Sequence, residues 1–257
     1  MHNDLFHIGK ITIHGYGLMI AVGVLVATFI SMFRAKKKKM DMDPILDIIL
    51  IILIGGFLGG KLLYIIVDWK NFIAAENKLA YFGGSGFVVY GGIILALVVN
   101  LIYLRLRKKS FLEYFDLIAP SVSIAQGFGR IGCLLAGCCY GRITTMDKMH
   151  IIFPEGSLCD LPGVPLVPTQ IIMSVGNFII GGILFLLDLK LKRRGQVGAC
   201  YLILYAAGRF AVEFFRFDHR GSVGVFSTSQ FISIFIFVIG VALLVYSSVK
   251  GKKRGEE

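Results

Sequence analysis

Long apolar runs alternate with short polar, mostly basic stretches along almost the whole chain. Runs near 16–33, 45–67, 87–104, 114–135, 169–189, 197–215 and 227–248 approach the roughly 20 apolar residues that a helix needs to cross a bilayer. About seven transmembrane helices are therefore predicted, in one all-α domain covering 1–257. Asp43-Pro44 reads as a helix start, with proline in the first turn, where its missing N–H is not needed. Pro168-Thr169 reads as another. In GGFLGG, Gly55 with Gly59 and Gly56 with Gly60 have the four-residue spacing of close helix packing. The segment near 137–168 breaks the pattern with mixed charges and prolines, and predicts a folded extracytoplasmic element.

Composition sharpens this picture. With 56% hydrophobic residues the chain reads as an integral membrane protein. The polar start MHNDLFHIGK and the lysine cluster that closes the first apolar run do not resemble a cleavable signal peptide, so that run is expected to remain as a helix. The net charge of +11 resides largely in RAKKKK (34–39), RLRKK (105–109), KLKRR (190–194) and KGKKR (250–254). These fall on one side if the helices alternate, which by the positive-inside rule is the cytoplasm, with the N-terminus outside and the C-terminus inside. Topology thus accounts for the charge, and no nucleic-acid partner is expected. The five cysteines include no C-x-x-C pair, so neither a disulfide framework nor a metal site is indicated. Cys133, Cys138 and Cys139 read as small packing residues.

Lys61, Arg130, Arg209 and Glu213 are charged residues inside predicted spans. An arginine or lysine at a helix centre costs about 2.5–3.5 kcal/mol on insertion scales. All four lie in the outer halves of their helices, so snorkelling to the interface is one reading. A second comes from Tyr205, Arg209, Glu213 and Arg216, whose spacings of four, four and three place them on one helical face. Arg209 and Glu213 can close an i,i+4 ion pair, while Arg216 adds positive charge that Glu213 does not balance. With Arg130 and Lys61, the outer half of the bundle is expected to present a cationic pocket. Lipid phosphate is the abundant anion at that depth, and arginine binds it with a planar fork.

Two short motifs are discounted. Gly127 to Gly132 matches G-x-G-x-x-G but lacks the strand and βαβ unit of a dinucleotide site. Gly83-Gly-Ser-Gly86 is similar to the serine motif of intramembrane rhomboid proteases, but the five histidines lie in outer segments or at a helix edge, leaving no partner base.

Five segments in order resemble the bacterial phosphatidylglycerol-prolipoprotein diacylglyceryl transferases. HGYGLM (14–19) resembles the family's His-x-Tyr-Gly-Leu-Met, and GGKLLY (59–64) its Gly-Gly-Arg segment. GGSGFVVYGG (83–92) is similar to the stretch ending in His-Gly-Gly or Tyr-Gly-Gly. DLIAPSVSIAQGFGRIG (116–132) resembles the family signature with its arginine at Arg130, and RFAVEFFR (209–216) a later helix segment. The chain departs where the family carries Asn, Asn and Glu, having Cys133, Ala136 and Cys138 instead. Val167 stands for the usual His, and Ile172 and Met173 replace Tyr and Glu.

The resemblance implies an enzyme of the bacterial plasma membrane with its site toward the extracytoplasmic side. It would move the diacylglyceryl group of phosphatidylglycerol onto the lipobox cysteine of exported prolipoproteins, releasing glycerol phosphate, without metal or cofactor. Arg130 would hold the phosphate, partnered by Arg209 that Glu213 orients. Tyr16 and Tyr90 are candidates for headgroup hydrogen bonds, and Lys61 and Arg216 for its charge. Gly129, Gly132 and Gly141 would allow close packing around the lipid. His14 is the one histidine next to a matched motif and the candidate base. A relative with another acceptor, or a membrane protein that binds or transports an anionic lipid without reaction, fits the same residues.

Overall fold

The computed structural model describes residues 4–8, 11–84, 86–145, 149–216 and 221–251. In chain order, its elements begin with a hairpin of β1 (Asp4–Ile8) and β2 (Ile11–His14). Five helices follow: α1 (Gly15–Lys37), α2 (Asp43–Val67), α3 (Trp69–Ala74), α4 (Lys78–Gly83) and α5 (Val89–Leu106). After them come α6 (Phe111–Ala136), α7 (Thr169–Lys190) and α8 (Gln196–Glu213), the small hairpin β3 (Ser222–Val223) with β4 (Phe226–Ser227), and α9 (Thr228–Lys250).

Among the described residues, α1, α2, α5, α6, α7 and α9 are long and apolar enough to cross a membrane, and the chain is a multi-pass helical membrane protein. Their outward side chains, such as Leu25, Phe29, Ile54 and Ile179, are exposed apolar groups of the kind that lipid covers. The seventh expected span, 197–215, is the 18-residue α8. It carries Arg209 and Glu213, and its lower apolarity separates it from the six. The hairpins and the short α3 and α4 were not foreseen, since segments of two to six residues carry too few positions for a periodic signal. Ser85 of the discounted serine motif and the last residues of the basic cluster at 250–254 lie outside the described residues.

The chain divides into two compact units, Met32–Phe111 and Met1–Ser31 with Leu112–Glu257. In the first, α2 and α5 meet through glycines. A Cβ on Gly59 would stand 2.4 Å from the Gly91 carbonyl oxygen, and one on Gly91 would stand 2.2 Å from that of Gly59. A Cβ on Gly92 would stand 2.2 Å from the Gly56 carbonyl oxygen, and one on Gly55 would stand 3.3 Å from the Ala96 Cα. The predicted small-residue packing is thus present, matched by a second glycine pair on α5. Without a hydrophobic drive between helices in lipid, such close approach is what holds them together.

In the second unit, Asp116 of α6 organises the start of α8. It is fully buried, and its two carboxylate oxygens accept from the Gly195 and Gly198 amides, each at 2.7 Å. These are amides that a helix start leaves unpaired, and the helix dipole favours an anion there. Ala119, Leu184, Val197 and Tyr201 pack beside this anchor. Ser123 Oγ donates to the Asn177 carbonyl (2.7 Å) and Ser174 Oγ to that of Gly127 (3.0 Å), tying α6 to α7.

Described residues of the 137–168 segment pack on one another. Tyr140, Phe153, Cys159 and Leu166 form its own buried core. The Tyr140 hydroxyl donates to the Asp160 carboxylate (3.1 Å) and accepts from the Asp160 amide (3.2 Å). Burial pushes this phenol up to about 12.

Two outcomes follow from this packing. Gly59→Ala forces α2 and α5 apart and costs about 1–3 kcal/mol, read as a lower unfolding temperature of the detergent-solubilised protein. Because the folded pKa of Tyr140 lies above its ordinary value near 10, the stability it brings is complete below that pH. That stability is lost as pH rises toward about 12. Protease cleavage within 137–168 should therefore rise over that window, and less so in Tyr140→Phe.

Candidate functional site

Of the expected charged face, Arg209 and Glu213 lie on α8 and close a polar cluster, whereas Arg216 lies beyond the helix end. Arg209 Nη1 pairs with Glu213 Oε2 at 2.7 Å, with both side chains nearly buried. Arg209 Nη2 also donates to Ser229 Oγ at 2.8 Å. The other Glu213 oxygen accepts from Ser227 Oγ at 2.9 Å. Ser227 is at the same time the N-cap of α9: its Oγ accepts from the Gln230 amide, while the Gln230 side chain accepts from the Ser227 amide. The two serines are residues that sequence reasoning missed. Their signal was the capping box Ser227 to Gln230, an S/T-x-x-Q pattern before an apolar run.

Arg130, one and a half turns before the end of α6, is half-buried. Among the described residues it makes no hydrogen bond or ion pair. It nevertheless lies within electrostatic range of Arg209, as does Arg216, so the second unit gathers three guanidiniums, of which Arg209 pairs with Glu213. A narrow cleft of about 50 Å³ between α7 and α8 has Arg209 in its wall, with Ile172, Met173, Ile180 and Val212 around it.

Tyr16, in the first turn of α1, is half-exposed and within electrostatic range of Arg130, Cys133, Cys138 and Cys139. Gly132 sets that approach, because a Cβ there would lie 3.1 Å from the Tyr16 carbonyl oxygen and 3.2 Å from the Met19 Cβ. Gly141 is more crowded still, with the Phe215 carbonyl oxygen at 2.6 Å and Thr169 Cγ2 at 2.8 Å from a Cβ. Gly141 pairs in a bridge with Arg216, and the Arg142 amide donates to the Phe215 carbonyl at 2.8 Å. The long loop is thereby stitched to the end of α8. Gly129, by contrast, has no protein atom within 4 Å of a Cβ position.

Thr169, expected only as a helix boundary, and Gln170 are both fully buried at the start of α7. Thr169 Oγ1 donates to the Cys139 carbonyl (2.9 Å) and Gln170 Nε2 to the Cys138 carbonyl (2.8 Å). They fix the turn that follows α6.

Lys61 and Tyr90 belong to the other unit. Lys61 is buried in α2, and its ammonium donates to the Gly84 carbonyl, which ties α2 to the turn after α4. Snorkelling is not what it does. Tyr90 is the second residue of α5 and partly exposed. His14 ends β2 and is exposed.

The fold defines the class, a multi-pass helical membrane protein, with guanidinium groups gathered in one of its two units. The profile described as Prolipoprotein diacylglyceryl transferase matches residues 3–246, and the chain belongs to that family. It is similar to the phosphatidylglycerol–prolipoprotein diacylglyceryl transferase 2 of Clostridium perfringens (strain 13 / Type A), with 46% identity over 246 residues and 95% of each chain covered. It also resembles the phosphatidylglycerol–prolipoprotein diacylglyceryl transferase of Clostridium tetani (strain Massachusetts / E88), at 43% over 92% of this chain and 94% of that one. A Streptococcus uberis (strain ATCC BAA-854 / 0140J) enzyme of the same name is 32% identical over 93% of this chain and 92% of that one.

Removing one member of the Arg209–Glu213 pair leaves the other charge buried and alone, which costs about 3–5 kcal/mol. Arg209→Ala should therefore lower the unfolding temperature markedly. Arg209→Lys, which lacks the fork that reaches Glu213 and Ser229 together, should fall between it and the unsubstituted protein.

Proposed function

We propose that this chain transfers the diacylglyceryl group of phosphatidylglycerol to the cysteine thiol of prolipoproteins and releases glycerol phosphate. The relatives' names supply the reaction. The observation that carries it to these residues is Arg130: a half-buried guanidinium that makes no hydrogen bond or ion pair among the described residues. A cation in that setting takes an anion from outside the protein, and a lipid phosphodiester supplies one at that depth. Arg209 cannot play the same part as readily, since Glu213 and Ser229 already occupy its fork.

Transfer requires a phosphate held as leaving group and a thiolate aligned with the adjacent carbon. Arg130 binds the phosphate and stabilises the charge that gathers on it as the carbon–oxygen bond breaks. Arg216 adds to the positive field. The cleft beside Arg209 is apolar enough to receive part of an acyl chain. Tyr16, near the same arginine, is placed to hydrogen-bond the headgroup.

The reading also assigns a side and a membrane. Basic clusters close α1, α5, α7 and α9, whereas Tyr16, Thr169 and the Arg209–Glu213 pair occur at the other ends of their helices. Positive-inside bias therefore puts the clusters in the cytoplasm of a bacterial cell and the site toward the outside of its plasma membrane.

Arg130→Ala should abolish transfer while leaving a folded protein. The check is to incubate purified protein with phosphatidylglycerol and a lipobox peptide, following peptide mass and released glycerol phosphate. Turnover within a factor of about two of the unsubstituted protein would remove Arg130 from the phosphate site. Glycerol phosphate released without peptide modification would show a different acceptor.

A further inference from the structure

Cys133 lies near the end of α6, and Cys138 and Cys139 are adjacent in the turn after it. That spacing matches no metal-binding signature, yet the fold brings all three Sγ atoms within 4.8 Å of one another. The turn is built to do so. Gly137 takes φ +78° and Cys139 φ +63°, the second uncommon and costly for a residue with a Cβ. The Cys138 amide donates back to the Cys133 carbonyl at 3.1 Å. The carbonyls of Cys138 and Cys139 are held by the buried Gln170 and Thr169.

Cys133 is buried and the other two are half-buried, so the trio is closed on one side and open on the other. The Arg216 guanidinium lies within electrostatic range of Cys139, and Arg130 within that of Cys133. Cysteines that serve only as small hydrophobes require neither a left-handed backbone nor neighbouring cations.

We propose that Cys133, Cys138 and Cys139 bind a Zn²⁺ ion whose fourth position takes the acceptor thiol of the transfer reaction. This rests on the function proposed above. Zinc–sulfur bonds of about 2.3 Å in tetrahedral geometry place sulfurs about 3.8 Å apart, so the trio needs to close by only about 1 Å. Three protein ligands with one open position is the arrangement of catalytic rather than structural zinc. A thiol that coordinates zinc is deprotonated outright. Among the described side chains within electrostatic range of the trio, neither Tyr16 nor the arginines take a proton from a thiol at neutral pH.

The step balances without redox change. On binding zinc the acceptor S–H gives its proton to water. A sulfur lone pair forms the bond to the glyceryl carbon that bears the phosphate. The carbon–oxygen bond breaks, its electron pair leaves on glycerol phosphate, and the thioether, a weaker ligand, departs from unchanged Zn²⁺. Four thiolates on one Zn²⁺ carry two surplus negative charges, which Arg130 and Arg216 offset. Arg130 then stands between the nucleophile and the leaving group.

The full chain, purified in detergent without added metal or chelator, should carry about one zinc per chain. Cys133→Ser, Cys138→Ser and Cys139→Ser should each lose most of it, while Cys200→Ser on α8 keeps it. To guard against misfolded variants, Co²⁺ added to the chelator-treated, unsubstituted protein should give thiolate charge-transfer absorption. A lipobox peptide with its cysteine should then shift the Co²⁺ visible bands, and the serine version of the peptide should not. Absence of zinc together with thiols that Zn²⁺ does not protect from alkylation would overturn the site, as would a disulfide within the trio. Bound metal whose bands ignore the cysteine peptide would overturn the open fourth position. Thioether formation by zinc-free protein would overturn the inference and leave the transferase reading intact. A zinc-loaded protein that forms no thioether would do the reverse for the transferase reading, while the peptide-dependent band shift continued to support the thiol-binding site.

Discussion

A charge inside an apolar bundle must find a partner, and that requirement arranges much of the site-bearing unit. Asp116 meets it with the two free amides at the start of α8. Glu213 meets it at the other end of the same helix with Arg209 and Ser227. The helix is therefore fixed at both ends by buried polar contacts, each costly to break in a medium where water cannot replace it. Arg130, by contrast, makes no hydrogen bond or ion pair among the described residues.

The same contacts do two kinds of work. Ser227 caps α9 and binds Glu213, so the start of one helix holds the charged end of another. Thr169 and Gln170 begin α7 and hold the turn that carries Cys138 and Cys139. The bridge between Gly141 and Arg216 then joins the long loop to the end of α8. Site residues drawn from α1, α6, α8 and the loop are thus positioned by helix termini, where unpaired backbone groups are available for such contacts.

Some of this was legible in the chain. Gly59 and Gly60 announced close packing, and a Cβ on either would collide with Gly91 or Phe87. The i,i+4 spacing of Arg209 and Glu213 announced their pair. Gly129 shares the spacing of its neighbours but has no protein atom beside its Cβ position, because spacing along a helix does not say which face has a neighbour. Lys61 looked like part of a cationic pocket or a snorkelling side chain; it is buried and donates to the Gly84 carbonyl.

The sequence by itself determined the class of fold, the approximate spans and the family, because bilayer thickness fixes helix length and an apolar medium forces helices wherever the run is long enough. It also placed arginines and a glutamate inside apolar spans, where a charge is costly. Only the tertiary structure decided which of those charges are paired, and that three cysteines with no motif spacing share one small volume. Both depend on the turn after α6 and on side chains of α7, α8 and α9 that are distant in sequence, so no local pattern encodes them.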